Sequence, residues 1–378
     1  MEDNCRFCGS TNIFELVSFT EYPIFIGCSD LSKENDETYS FNIFLCENCL
    51  IIQQISLPPL EILYQERRAF GIGRKWKDHY DTFFNFIRED VNNAKNIMEV
   101  GGGNGILLEK INSIKKDTRI FDIEPDPFYK LGDVITIRKY FDKDFFINEN
   151  VDLIYCSHLI EHLANVNEFF AKSFDVLNEN GSLVTACPNI LESFKQTHLN
   201  AFTTDHFNYF TPTTLTKLAE KHGFFATNYY QFSDHGMYLK FRKNNSTDSS
   251  LNFKQLDLVN IYKDYEKRIS LFASYINSQD ITNYYLFGAH AFSITFLRFL
   301  ESSDQVKYIL DNEPTKENRR LCGTDLIVKK PSIIEKDTHP IIVIYMGSYT
   351  NEICEQLQSL NKNVTLFRLD GYIEDNIK

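Results

Sequence analysis

Between residues 91 and 240 the chain alternates short apolar runs with longer amphipathic stretches. The apolar runs Asn96–Val100, Thr118–Ile123, Val151–Cys156 and Ser182–Ala186 read as strands, and the periodic stretches between them read as helices. That alternation is the signature of a parallel α/β sheet. The same rhythm returns nearer the end, with predicted strands at Tyr284–Phe287, Val306–Leu310, Ile341–Tyr345 and Asn363–Leu369. Between the two halves, the polar run 244–250 has no apolar periodicity and reads as a linker, followed by a long helix from about Phe253 to Ile276. Residues 61–90 are helical and aromatic, and residues 1–60 hold short apolar runs such as Tyr39–Leu45 among paired cysteines. The expected organisation is a module over 1–60, a helical connector over 61–90, one α/β domain over 91–245, and a linker helix with a second α/β domain over 246–378.

Composition narrows the functional classes. A 43% hydrophobic and 24% charged chain is ordinary globular material, and 33 Phe with 20 Tyr predict aromatic cores. No apolar run reaches the roughly 20 residues of a membrane-spanning helix. The start Met1-Glu2-Asp3-Asn4-Cys5 is acidic, without an apolar signal core, which predicts a cytoplasmic protein with no membrane partner. A formal charge of −13 argues against a nucleic-acid partner, because phosphate binding needs clustered Lys and Arg.

Nine cysteines in such a chain point to metal or free thiols before disulfides. Cys5-Arg6-Phe7-Cys8 and Cys46-Glu47-Asn48-Cys49 are two C-x2-C knuckles, each offering two thiolates from one tight turn. Four thiolates complete a tetrahedron, so the expected ligand is a closed, structural Zn2+ on Cys5, Cys8, Cys46 and Cys49. Cys28, Cys156, Cys187, Cys322 and Cys354 read as buried free thiols.

The segment from Asn96 to Leu108 reads strand, glycine turn, helix start, with Glu99, Gly101, Gly103, Asn104 and Gly105 in the pattern Glu-x-Gly-x-Gly-x-Gly. Glycines let such a turn adopt positive φ and press its backbone against a ligand. The pattern differs from the Gly-x-Gly-x-x-Gly of dinucleotide sites and is similar to the loop of class I methyltransferases, which bind S-adenosylmethionine (AdoMet). A second acid is expected about 20 residues further on, to take the ribose hydroxyls. Glu124 fits that place, with Asp122 in reserve.

Two histidine groups follow. Ser157-His158-Leu159-Ile160-Glu161-His162 comes straight after a predicted strand, and His158 and His162 would stand one helical turn apart. Class I methyltransferases place residues beside the methionine part of AdoMet there, which makes Ser157 and His158 candidates; His162 fits a capping or packing role. Asp205-His206 lies in an aromatic turn, where a neighbouring carboxylate can tune an imidazole toward base chemistry near neutral pH.

Taken together, these features resemble the deoxysugar C-methyltransferases, three-domain enzymes of antibiotic and surface-glycan biosynthesis. The resemblance rests on both cysteine pairs, Glu99–Gly105, Ile123-Glu124-Pro125, Ser157–His162, Phe287-Gly288-Ala289-His290-Ala291, Asp311–Lys316 and Gly323-Thr324. It implies a class I AdoMet methyltransferase Rossmann-like sheet, preceded by a small zinc module and followed by a Rossmann-like domain that lines a sugar-nucleotide cleft. It further implies a small-molecule acceptor, a nucleotide-activated keto-deoxysugar, and His206 as general base next to Asp205, followed by Tyr209-Phe210. Two departures stand out: Thr203 replaces an expected tyrosine, and Glu66-Arg67-Arg68-Ala69-Phe70-Gly71 replaces a tyrosine- and serine-rich segment. Glu66, Arg68 and Tyr209 are therefore the acceptor-side candidates. Oxygen or nitrogen methylation, or a zinc-containing RNA or protein methyltransferase, remain alternatives, and the chain is expected as a monomer or homodimer.

Overall fold

The structure is a computed structural model that describes residues 4–64, 74–114, 118–125, 127, 129–234, 236–243, 251, 253–279 and 281–376. Glu66, Arg68 and the predicted linker 244–250 lie outside the described residues.

The N-terminal module consists of strands β1 (Ile13–Pro23), β2 (Cys28–Ser29), β3 (Thr38–Cys46) and β4 (Ile52–Gln54), then the single turn α1 (Leu60–Leu63). β1 pairs antiparallel with β3, and β3 with β4. Phe41 and Ile43 are buried on either side of the partly exposed Asn42, and from Ile43 to Cys46 every residue is buried, so β3 is covered on one face at its start and on both at its end.

Helix α2 (Arg74–Asn93) precedes a run of β5 (Asn96–Val100), α3 (Ile106–Ile114), β6 (Arg119–Ile123), β7 (Ile135–Ile137), β8 (Val151–Ser157), α4 (Val166–Val176) and β9 (Leu177–Pro188). There follow α5 (Ile190–Lys195), β10 (Asn208–Tyr209), α6 (Pro212–Lys221), β11 (Phe224–Phe232) and β12 (Gly236–Lys243). Seven of these strands form one sheet in the order β11-β12-β9-β8-β5-β6-β7. Strands β5 to β9 run parallel to one another, while β12 is antiparallel to both β9 and β11. The order reverses between β5 and β8, and ligands of open α/β sheets bind at such a switch point, outside the strands' carboxyl ends. The sequence placed the four central strands; the β11–β12 hairpin escaped because its aromatic and charged residues alternate weakly. Helices α2 and α3 cover one face of this sheet, and α4 and α6 the other. The predicted connector over 61–90 therefore contributes, through α2, to the core of the α/β domain.

Helix α7 (Leu258–Ser278) leads to β13 (Tyr284–Phe287), α8 (Ala291–Leu297), β14 (Val306–Leu310), β15 (Arg320–Leu321), β16 (Val328–Lys329), β17 (Ile341–Ile344), α9 (Thr350–Leu360), β18 (Thr365–Arg368) and α10 (Leu369–Asn376). The second sheet is parallel, in the order β16-β14-β13-β17-β18. Among the described residues no helix is long and apolar enough to cross a membrane.

The three units share one core. Phe41, Ile43 and Ile52 of the module, Phe194 and Tyr209 of the central domain, and Tyr265, Phe272 and Leu286 of the C-terminal part belong to one buried cluster. A second tie is polar. Arg320 reaches from β15 to the module, donating from both terminal nitrogens to the Asp36 carboxylate at 2.6 and 2.7 Å, and β15 pairs with β2. Both side chains are more than nine-tenths buried. Burial alone would raise the Asp36 carboxyl, but Arg320 and the Gly323 amide hold it below its ordinary value.

Removing one partner of a buried ion pair leaves an uncompensated charge, at a cost of about 3 kcal/mol or more. Arg320→Ala is expected to lower the unfolding free energy by that amount and the urea midpoint with it, with Asp36→Asn/Arg320→Met recovering part of the loss. An Arg320→Ala midpoint within experimental error of the parent would contradict the tie.

Candidate methyl-transfer site and cysteine cluster

The glycine turn joins β5 to α3 at the switch point. Gly101, Gly103 and Gly105 have φ of 76°, 58° and 73°, a region that side-chain-bearing residues rarely enter. At Gly102 the reason is space: a Cβ there would overlap the Tyr129 hydroxyl and Asp122 Oδ1. Asn104 caps α3, its Oδ1 accepting from the Ile106 amide while its Nδ2 donates to the Tyr80 hydroxyl.

Three carboxyls surround this turn at different depths. Glu99 lies beneath it, 2% exposed, and accepts from the Tyr155 hydroxyl at 3.0 Å. Burial, reinforced by Asp122 and Glu124, pushes its carboxyl well above the ordinary range despite the Tyr155 bond. Asp122 is also buried and raised by burial, with Tyr129 donating to it at 2.6 Å. Glu124 is half-buried at the mouth, its Oε2 within 3.4 Å of the Gly103 amide. Of the acids, it is the one presented where a ligand's hydroxyls would meet the loop. A backbone that only glycine permits, bounded by an accessible carboxylate, suits AdoMet, whose ribose hydroxyls need an acceptor and which carries no pyrophosphate.

Across the switch point, the end of β8 carries a second constellation. His158 has a φ of 52°, and Ile160–His162 form a 3-10 turn. His158 and His162 are thus brought together by a tight turn around Glu161, not by the helical turn that their spacing suggested. Glu161 is 1% exposed. Burial would raise its carboxyl, but the His158 hydrogen bond and the charges of His158, His162 and His206 bring it down to about 2. An ionised carboxylate only accepts, so the 3.0 Å contact is His158 Nδ1–H donating to Glu161 Oε1. His162 Nδ1 lies 2.6 Å from the Asp205 carbonyl, again necessarily as donor. In the neutral rings the lone pair of each then sits on Nε2. The His206 ring stands edge-on to His162 at 4.8 Å, and the His158 ring meets Trp76 and His79 at 5.0 Å. Ser157 Oγ lies 2.8 Å from His79 Nε2, whose Nδ1 meets the Tyr238 hydroxyl at 2.9 Å.

Asp205 receives the Thr203 hydroxyl at 2.5 Å. Tyr209, an acceptor-side candidate in the sequence, is 4% exposed and donates its hydroxyl to the Thr203 carbonyl at 2.9 Å, so that hydroxyl positions the loop. From the C-terminal domain, His290 at the start of α8 comes within electrostatic range of Asp205 and His206. Glu161 went unrecognised in the sequence because a glutamate in an apolar run reads as an exposed helix position; the strained backbone at His158 turns it inward.

Cys5, Cys8, Cys46 and Cys49 converge, with Sγ–Sγ distances of 3.6 Å for Cys5–Cys49 and for Cys8–Cys46. Four sulfurs about 2.3 Å from a tetrahedral ion would stand about 3.8 Å apart, so the cage already has the right size. Gln53 Nε2 donates to Cys5 Sγ at 3.0 Å, and the Phe7 and Cys49 amides point at Cys5 and Cys46 sulfurs, as thiolate ligands require.

The knuckles are stitched to the histidine loop. β10 pairs with β4, placing residues 203–208 against the module. Gln54 Nε2 donates to the carbonyls of Thr203, Thr204 and His206, and Arg6 donates to the Phe207 carbonyl and Asn208 Oδ1. Asn208 Nδ2 in turn donates to the carbonyls of Ile160 and Leu163, and the Phe207 amide to that of Glu161.

Two family models match the chain. Residues 64–227 match the family model described as a methyltransferase domain, and residues 252–368 the one described as a C-methyltransferase C-terminal domain. No curated protein matches the chain. Among solved structures, the N-methyltransferase NodS from Bradyrhizobium japonicum WM9 is 12% identical, with a TM-score of 0.36 over 45% of this chain and 97% of its own. The PH0226 protein from Pyrococcus horikoshii OT3 is 11% identical, with a TM-score of 0.40 over 46% and 92%. The methyltransferase domain of bacterial CtHen1 is 19% identical, with a TM-score of 0.35 over 45% and 100%. The chain is an AdoMet-dependent methyltransferase whose C-terminal domain is of the C-methyltransferase type.

A carboxyl whose folded value is raised contributes most below its unfolded value and loses that contribution as pH rises. Glu99→Gln removes the charge and keeps an acceptor for Tyr155. The variant is expected to melt with the parent near about pH 4, where both are neutral, and increasingly above it toward about pH 8. A melting-temperature difference that does not change with pH would contradict a neutral Glu99.

Proposed function

We propose that this methyltransferase alkylates a carbon next to the ketone of a small, nucleotide-activated sugar, in the cleft between the glycine turn and the Glu161 histidines. The observation that carries this reading is a buried, ionised Glu161 beside imidazoles with basic Nε2 atoms, at the switch point of a chain bearing a C-methyltransferase C-terminal domain. AdoMet, when bound, supplies an electrophilic methyl group on a sulfonium.

Glu124 and the Gly101–Gly105 turn would hold that cofactor. The resemblance to deoxysugar enzymes gives proton removal to His206; the hydrogen bonding favours His158. With Nδ1–H committed to Glu161, His158 offers Nε2 to the acidic carbon-bound proton. The proton moves to Nε2 and its electron pair delocalises onto the ketone oxygen. Glu161 then balances the imidazolium, an electrostatic preorganisation that costs little at the moment of reaction. The carbon would recover the pair in its new bond to the methyl group, the electrons of the broken carbon–sulfur bond staying with the departing thioether. Trp76 and His79 pack against His158 and fix its orientation. Acidifying a C–H bond demands this strong a base arrangement; alkylating a hydroxyl does not.

We also read the four cysteines as a structural zinc site. Through Arg6 and Gln54, it would keep the 203–208 loop in register with Glu161.

Methyl-13C AdoMet, incubated with the full chain and a panel of nucleotide-linked keto sugars, should give a carbon-bound methyl resonance. His158→Ala should lower turnover about 100-fold or more. A product methylated on oxygen or nitrogen, or unimpaired His158→Ala, would overturn the assignment. Separately, the purified chain should hold one zinc. Cys46→Ser should lose it and melt at lower temperature; a zinc-free wild-type chain would refute the structural site.

A further inference from the structure

Glu161 spends only one of its oxygens. Oε1 receives His158, whereas Oε2 is buried without a hydrogen-bond partner. An ionised carboxylate oxygen left so is costly, and native structures seldom keep one without a ligand to fill the place. Glu161, His162 and His206 can each direct one ligand atom to a common point, with those atoms all within 4.8 Å of one another.

We propose that these three side chains form a divalent transition-metal site on the acceptor side of the methyl-transfer centre. The inference rests on the methyl-transfer reading for the ion's task, but not for its existence. Two imidazoles and one carboxylate suit first-row divalent ions, whereas the cysteine cage selects softer ones. His162 has the arrangement of a metal-ligating imidazole: Nδ1–H is fixed on the Asp205 carbonyl, and Nε2 stands 4.0 Å from Glu161 Oε1. The backbone around His206 is held by Gln54 at 2.7 Å on its carbonyl and by its own amide on the Thr203 carbonyl. That ligand therefore sits on an anchored chain, with only its ring to adjust. Bonds near 2.1 Å would set neighbouring ligand atoms about 3 Å apart, so the side chains close by an ångström or two on loading.

Three protein ligands leave coordination positions open. An acceptor ketone entering one of them has its oxygen polarised by the cation, and the negative charge that develops there after proton loss to His158 is stabilised. Glu161 thus serves both, its carboxylate orienting the base through Oε1 and ligating the ion. This also gives His206 a task that leaves proton removal to His158.

Mn2+ is the probe, because it avoids thiolates and leaves the cysteine cage to zinc. It is titrated into the full, zinc-loaded chain while the electron paramagnetic resonance signal of the free ion is followed. One Mn2+ should bind per chain, with nitrogen couplings from imidazole in the spin-echo spectrum. Glu161→Gln and His206→Ala should each weaken binding roughly tenfold or more. Zinc content and circular dichroism establish that each variant is folded; because His206 is half-exposed, its variant serves should Glu161→Gln fail to fold. Wild-type chain that leaves Mn2+ free at millimolar concentration, or both variants binding as tightly as wild type, would overturn the site. Binding that the substitutions abolish supports it whether or not a keto sugar turns over, so the metal site and the methyl-transfer reading fail separately.

Discussion

The backbone of residues 203–207 has to be satisfied from outside its own strand, and the N-terminal module does this. Buried carbonyls without partners are expensive, so a loop with no regular ladder exists in one shape only if side chains supply its donors. Gln54 gives one amide to three carbonyls of that loop, and Arg6 adds its guanidinium. Arg6 sits inside the first cysteine knuckle, and Gln54 ends the strand that follows the second. The geometry of the cysteine cage is thereby transmitted to Asp205 and His206, and onward through Asn208 to the turn bearing Glu161. Burial depresses the Arg6 guanidinium to about 10, still charged at neutral pH, as its four donor contacts require.

The carboxyl edge of the central sheet then sets two glutamates in opposite states. Glu99 has a phenol and other acids for neighbours and is driven toward the neutral form; Glu161 has three histidines and stays ionised. Both are buried to nearly the same degree, so desolvation does not separate them. The charges nearby do. Negative charge is kept low under the glycine turn and concentrated beside the histidines.

Much of this was legible in the sequence. The glycine turn, the position of Glu124 beside it, the convergence of the cysteine knuckles and the central strands follow from local chemistry: positive φ, an acid after a strand, and paired thiols each leave a signature within a few residues. Glu161 did not, because its role depends on His206, which lies far along the chain and arrives only through β10 pairing with β4. The burial of Tyr209 and the contribution of Arg6 were hidden for the same reason: a long-range contact decides each. The shared core among module, α7 and the second sheet likewise has no local pattern to announce it.

The central claim is that cofactor and base meet at the β5–β8 switch point. A crystal structure of the full chain with S-adenosylhomocysteine tests it most directly. The account predicts the ribose hydroxyls on Glu124, the glycine turn against the amino-acid part, and the sulfur directed toward the cleft that His158 and Glu161 line. Binding in the C-terminal domain, or a sulfur turned away from those residues, would contradict it.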